Sequence, residues 1–269
     1  MIPNVLSIAG SDPSGGAGIQ ADIKAISANG AYAMAVITAL TAQNTRGVSG
    51  VELVPPAFVA AQIDAVFSDI RVDAVKIGMV ATRAIAAVVA DALVRYGAGN
   101  VVLDPVMVAK GGDRLLAEEA VTTIRERLLP RTLVLTPNLP EAAALLDRPE
   151  PVSRDQMTAV AEALRDLGPT WVLLKGGHLE GSDSPDYLAG PGGGHWLEGG
   201  RFPTANTHGT GCTLSSALAA RLAITGDVPT AAQEAKTYIS AAIATADELD
   251  VGSGHGPTNH FATLWPRRG

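Results

Sequence analysis

The feature that most constrains this chain is its alternation of short apolar runs with Ala-rich stretches of helical period. Strands are expected at residues 5–9, 33–40, 51–54, 74–77, 101–103, 133–135 and 171–174. Helices are expected over 19–29, 56–69, 83–96, 118–128, 138–146, 153–167, 212–224 and 230–249. Apolar strands alternating with helices specify a mainly parallel sheet covered on both faces. The pattern breaks once, where 186–189 and 195–197 flank Pro191-Gly192-Gly193-Gly194 and read as a small hairpin. Aromatic residues are only 4% of the 269, so Ala, Val, Ile and Leu must build the core and helices must pack closely on the sheet. No long linker, charge block or repeat interrupts the chain, and a single domain spanning 1–269 is expected.

Several function classes are disfavoured by composition. Hydrophobic residues at 47% against 17% charged exclude disorder. A net charge of −7 argues against a general nucleic-acid partner. One cysteine permits neither a disulfide framework nor a multi-Cys zinc site. The most apolar stretch, 31–42, is too short to span a membrane. Lys24 is the first basic residue, so a charged leader is missing, and a cytoplasmic home is expected.

In open parallel sheets, ligands sit beyond the carboxyl ends of the strands, so residues just after each apolar run carry the information. The first strand runs into Gly10-Ser11-Asp12-Pro13-Ser14-Gly15-Gly16-Ala17-Gly18, a glycine-rich loop before a helix. Gly16-x-Gly18-x-x-Ala21 matches a weak dinucleotide pattern, but the second strand ends without the acid that holds a ribose. A substrate loop is the better reading. No Gly-x4-Gly-Lys-Ser/Thr loop, Gly-x-Ser-x-Gly elbow or helical His-x3-His pair occurs.

Asn206-Thr207-His208-Gly209-Thr210-Gly211-Cys212-Thr213 is the strongest local signal. Small residues leading into an apolar helix can aim backbone amides at one anion, aided by the helix dipole. Cys212 falls in the first turn, a position expected to favour thiolate; an inert core cysteine is the alternative. Asp104 follows an apolar strand and suits metal binding, phosphate handling or a solvated turn. Asn138-x-x-Glu141 reads by itself as a helix capping box. Lys175-Gly176-Gly177-His178 ends a strand, where lysine can meet a nucleotide phosphate. Lys76 interrupts an apolar strand and reads as a buried, paired lysine. Together these pieces describe a phosphotransferase without a P-loop, because phosphoryl transfer needs mainly positioning and charge stabilisation.

These motifs resemble the hydroxymethylpyrimidine/phosphomethylpyrimidine kinases of thiamine biosynthesis, a branch of the ribokinase-like superfamily. The likeness runs in order through the 9–22 loop, Thr41-Ala42-Gln43-Asn44-Thr45, Lys76-Ile77-Gly78-Met79, Asp104-Pro105-Val106-Met107, Thr136-Pro137-Asn138-x-x-Glu141-Ala142, Lys175-Gly176-Gly177-His178, the 208–213 turn and Gly254-His255-Gly256-Pro257-x-x-His260-Phe261. It implies ATP as donor, Mg²⁺ as cofactor, a homodimer, and two successive phosphorylations of 4-amino-5-hydroxymethyl-2-methylpyrimidine. By the same resemblance, Gln43 bonds the aminopyrimidine edge, with Gly10, Asp12, Ala17, Met79 and Val106 around the ring. Asp104 and Glu141 handle Mg²⁺, and Asn138, Lys175, Thr207 and Lys236 lie along the nucleotide phosphates. Gly209, Thr210, Gly211 and Cys212 form the anion hole. Cys212 stands where many sugar kinases carry an aspartate base, and a thiolate there is a candidate proton acceptor for the first transfer. The nearest rival is a pyridoxal or pyridoxine kinase of the same branch; an NAD(P)-dependent oxidoreductase and a non-catalytic ligand sensor fit the residues less well.

Overall fold

The computed structural model describes residues 1–107, 118–151 and 153–265. In chain order the elements are β1 (Asn4–Ser11), α1 (Gly18–Ala28), β2 (Tyr32–Asn44), β3 (Gly47–Leu53), α2 (Pro56–Phe67), β4 (Ala74–Ile77), α3 (Arg83–Arg95) and β5 (Val101–Leu103). They continue with α4 (Glu118–Thr123), β6 (Val134–Leu135), α5 (Leu139–Leu146), α6 (Arg154–Arg165), β7 (Trp171–Lys175), β8 (Asp186–Gly190), β9 (Gly193–Leu197), α7 (Thr210–Thr225) and α8 (Val228–Ala244). The strands form one nine-stranded sheet in the order β3-β2-β1-β4-β5-β6-β7-β8-β9.

The six inner strands, β2-β1-β4-β5-β6-β7, pair in parallel, so their carboxyl ends share one edge. Both margins are antiparallel: β3 folds back on β2, and β8 and β9 follow β7. Side chains alternate between two cores, as strand geometry requires. On one face Leu6, Ile8, Val75 and Ile77 pack with α2, α3, α5 and α6. On the other Val5, Ala74, Val102 and Leu173 pack under α1, α7 and α8, whose alanines allow close approach. No helix among the described residues is long and apolar enough to cross a membrane.

Two differences from the sequence expectation bear on the site. β2 runs on to Asn44 and forms an antiparallel arm with β3; half-buried Thr41 and exposed residues beside it disguise a strand that leaves the core. α7 begins at Thr210 rather than Cys212, which places the cysteine third in the helix. The expected hairpin is present, tightened so that β8 and β9 meet across Gly190 and Gly193. Ser153 caps α6 by accepting from the Gln156 amide.

Candidate active site

The glycine-rich loop after β1 is organised by Asp12. Its carboxylate accepts the Ser14 amide at 2.9 Å, the Ser14 hydroxyl at 2.7 Å and the Ala17 amide at 2.8 Å. Burial raises the pKa of Asp12, but the bonds from His208 and Ser14 outweigh it and hold the group below the ordinary value. Asp12 is only 2% exposed, and its bonds shape the loop. Gly18 closes the loop at φ +56°; a Cβ there would lie 2.3 Å from the Gly10 carbonyl oxygen.

The second component is the turn into α7. Gly209 adopts φ +75°, and a Cβ on it would fall 1.8 Å from the Gly16 carbonyl oxygen. Only glycine permits this contact, which lays the turn against the loop. His208 Nε2 adds a bond of 2.8 Å to Asp12 Oδ2 and lies 3.4 Å from Gln43 Nε2. Thr210 is tied back to the Thr207 carbonyl through its hydroxyl at 2.7 Å and its amide at 3.3 Å. The amides of Gly211 and Cys212 lie in the first helical turn, where an α-helix supplies no acceptor for them.

The third component gathers at the ends of β5, β6 and β7. Asp104 follows β5, Glu141 lies in the first turn of α5, and Lys175 ends β7. Lys175 Nζ lies 2.9 Å from Asp104 Oδ1 and 3.9 Å from Glu141 Oε2. A Cβ on Gly211 would be 3.3 Å from both Asp104 Oδ2 and Lys175 Nζ, so the anion turn and the charged cluster are in contact. Burial, reinforced by Asp104, pushes Glu141 up to about 7 against the pull of Lys175. Burial opposes the charge on Lys175, but Asp104 and Glu141 raise its pKa overall.

Gly10 and Met79 adjoin each other beside the loop: a Cβ on Gly10 would be 3.0 Å from Met79 Sδ. Ala17 packs on Gly209, and Gln43 is held by the Thr41 hydroxyl at 3.1 Å. Val106 is half-buried just after Asp104. The expected pyrimidine wall and anion turn therefore share the carboxyl edge of the sheet.

Three expected site residues have partners or surroundings that bear on their roles. Cys212 is not a ready thiolate: burial pushes its thiol up to about 11, although Lys76 and the Gly18 amide pull the other way. Asn138 is spent as a helix cap: its side chain accepts the Glu141 amide while Glu141 accepts the Asn138 amide, both at 2.8 Å. Lys236 faces the same cleft as Lys175 and Thr210, but its ammonium is bound by Asp186 Oδ2 and the Ser184 carbonyl, each at 2.7 Å. His208 is a further residue of the site, to which the 206–213 motif by itself assigns no role. The sequence signal that could have found it is its place directly before a glycine that must touch another loop.

Comparison with known proteins agrees with this geometry. The family model described as phosphomethylpyrimidine kinase matches residues 12–259. The chain belongs to that family. A hydroxymethylpyrimidine/phosphomethylpyrimidine kinase of Escherichia coli K12 is 54% identical over 97% of this chain and 98% of its own length. Among solved structures, the phosphomethylpyrimidine kinase of Clostridium difficile matches with a TM-score of 0.79 and 43% identity, over 90% of this chain and 99% of that one. The ADP complex of Bacillus subtilis pyridoxal kinase matches with a TM-score of 0.90 and 36% identity, covering 97% of this chain and 98% of that one. The fold is thus the ribokinase-like one expected from the motifs.

Proposed function

We propose that this kinase transfers the terminal phosphoryl group of ATP to 4-amino-5-hydroxymethyl-2-methylpyrimidine, and then to the resulting monophosphate, in thiamine biosynthesis. The observation that carries the reading is the convergence of the Gly209–Cys212 turn with Asp104, Lys175 and Glu141 beside the glycine-rich loop, with Gln43 of β2 3.4 Å from His208 at the same seam. Gln43 offers both a donor and an acceptor, which suits the edge of an aminopyrimidine. Gly10, Ala17, Met79 and Val106 would shield the ring from water. The Gly211 and Cys212 amides would receive the transferring group, with Lys175 and Thr207 beside the donor phosphates.

Asp104 and Glu141 supply hard oxygen donors that fit Mg²⁺, the remaining ligands coming from phosphate oxygens and water. Mg²⁺ bound there would neutralise charge on the phosphates. Lys175, now between the two carboxylates, would turn to the phosphates when that cation is present. The second transfer needs no strong base, because a phosphate monoester is already mostly ionised near neutral pH, its second pKa being about 6. The first transfer must remove a hydroxyl proton, and Cys212 could take it only as thiolate, after its own thiol proton has passed to another acceptor.

Exposed Leu40, Val51 and Leu53 on the β2–β3 arm support a homodimer, which light scattering would test. A second substrate reading has one specific support: the higher TM-score to a pyridoxal kinase. Mass spectrometry of products with ATP, Mg²⁺ and either hydroxymethylpyrimidine or pyridoxal decides between them. Two successive phosphates on the pyrimidine sustain the main reading; phosphate on pyridoxal alone replaces it.

A further inference from the structure

Beneath the anion turn lies a fully buried cluster that the chemistry above does not use. Lys76 and Asp22 have side chains that are 0% exposed, with Lys76 Nζ 2.8 Å and 2.9 Å from the two carboxylate oxygens. The Ser216 hydroxyl donates to Asp22 Oδ1 at 2.7 Å, and the Ser7 hydroxyl to Oδ2 at 2.6 Å. Each Asp22 oxygen therefore accepts two bonds, which fills the capacity of a carboxylate. The four residues come from α1, α7, β1 and β4. Ser7 and Lys76 are register partners in adjacent strands and point to the face covered by α1 and α7.

The spacing gives the cluster a direction. Asp22 lies four residues after Gly18, the first residue of α1, and Ser216 lies four after Cys212 in the first turn of α7. The Asp22–Ser216 bond thus joins the two helices, one turn in from the starts that follow the substrate loop and the anion turn. Lys76 supplies the counter-charge that lets Asp22 serve both helices in the dark of the core. Burial opposes its protonation, and the carboxylates of Asp22 and Asp104 overcome that opposition. The chain after β4 passes directly over the ammonium, since a Cβ on Gly78 would lie 2.8 Å from Nζ, and the next residue is Met79.

We propose that the Asp22–Lys76 pair positions the reacting groups, by fixing the start of α1 against the start of α7. Stability alone does not account for it, because apolar residues of similar volume in place of a buried ion pair are commonly as stable or more so. What an apolar pair cannot do is hold two helix starts in one register through directed bonds. The role presupposes the kinase reading given above.

The test compares the two serines that serve the same carboxylate. Ser216→Ala cuts the rung to α7, whereas Ser7→Ala removes an equivalent bond to a strand. With both variants shown folded by circular dichroism and thermal melting, Ser216→Ala is expected to lower kcat about tenfold with KM for pyrimidine and ATP within about twofold, and Ser7→Ala to leave kcat unchanged. A second variant, Asp22→Leu with Lys76→Met, puts an apolar pair in place of the ion pair and is expected to lose about a hundredfold in kcat while remaining folded. Equal kcat in the two serine variants, or full kcat in the folded double variant, overturns the positioning role. Wild-type protein run alongside separates the two readings: no transfer by the wild type defeats the kinase assignment, whereas full turnover in the variants defeats only the role of the pair.

Discussion

His208 Nε2 lies 2.8 Å from Asp12 Oδ2, and this bond fastens the glycine-rich loop to the turn that opens α7. The two segments are 196 residues apart in sequence, yet a substrate on the loop meets a phosphoryl group on the turn only if their spacing is held. The close contact between Gly209 and the Gly16 carbonyl is a second fastening at the same seam.

Asp12→Ala should therefore act on both binding and turnover. It strips four bonds from a buried carboxylate and is expected to cost about 2–3 kcal/mol of stability. The loop then loses its register to the turn, and kcat/KM for the pyrimidine is expected to fall about a hundredfold. Steady-state kinetics at saturating ATP, beside a denaturant titration, measures both. A loss of stability with unchanged kcat/KM would restrict Asp12 to folding.

The cysteine offers a clean chemical test because it is the only one in the chain. With its thiol pushed up to about 11, Cys212 should be almost wholly protonated at neutral pH. Alkylation by iodoacetamide should be slower than that of a small free thiol at pH 7, and should keep accelerating beyond pH 9. A rate that levels off below pH 8 would restore the thiolate expected from the helix position.

Glu141 links metal use to pH. Its pKa is raised to about 7 by burial and by Asp104, and a cation requires the ionised carboxylate. The Mg²⁺ concentration for half-maximal rate should accordingly fall as pH rises through about 7. Glu141→Gln keeps an acceptor for the Asn138 amide but no charge, so it should raise that concentration about tenfold at pH 8 and flatten its pH dependence. Rate measurements over a Mg²⁺ series at pH 6, 7 and 8 decide it; the same slope in wild type and variant would assign the dependence elsewhere.

Much of this architecture is readable in the linear chain, for identifiable reasons. β4 and β5 are short apolar runs bounded by turn residues, and their observed limits, Ala74–Ile77 and Val101–Leu103, match the pattern. Lys76 advertises its burial because a lysine within such a run must find a partner. That the partner is Asp22 is not legible, since it depends on α1 lying over the face of β4 that carries Lys76. Asn138-x-x-Glu141 shows the limit from the other direction: capping and metal binding use the same residue types, and the structure realises the cap. For Cys212 the sequence leaves thiolate and inert core cysteine both open, and the structure favours the protonated thiol, because a first-turn position stabilises thiolate only where solvent or cationic groups outweigh desolvation.

His260 carries the last prediction, which concerns acid stability. It is 4% exposed under α7, with Nε2 3.1 Å from the Thr213 hydroxyl oxygen, while its carbonyl accepts the Tyr238 hydroxyl at 2.7 Å. Burial, with smaller contributions from Lys24 and His208, lowers its pKa from 6.5 to about 4. The unfolded chain therefore binds a proton that the folded one refuses between those limits. The stability from neutral His260 is fully present above pH 6.5 and is lost as pH falls toward 4. At about 1.4 kcal/mol per pKa unit, the loss across the window is about 3 kcal/mol. His260→Gln removes the titration while leaving a side chain able to bond Thr213. Urea unfolding at pH 7.0 should show the variant less stable by about 1–2 kcal/mol. The same titration at pH 4.5 should show the gap closed or reversed, because only the wild type meets the proton penalty. Parallel losses in the two proteins between these pH values would place the acid sensitivity on another group.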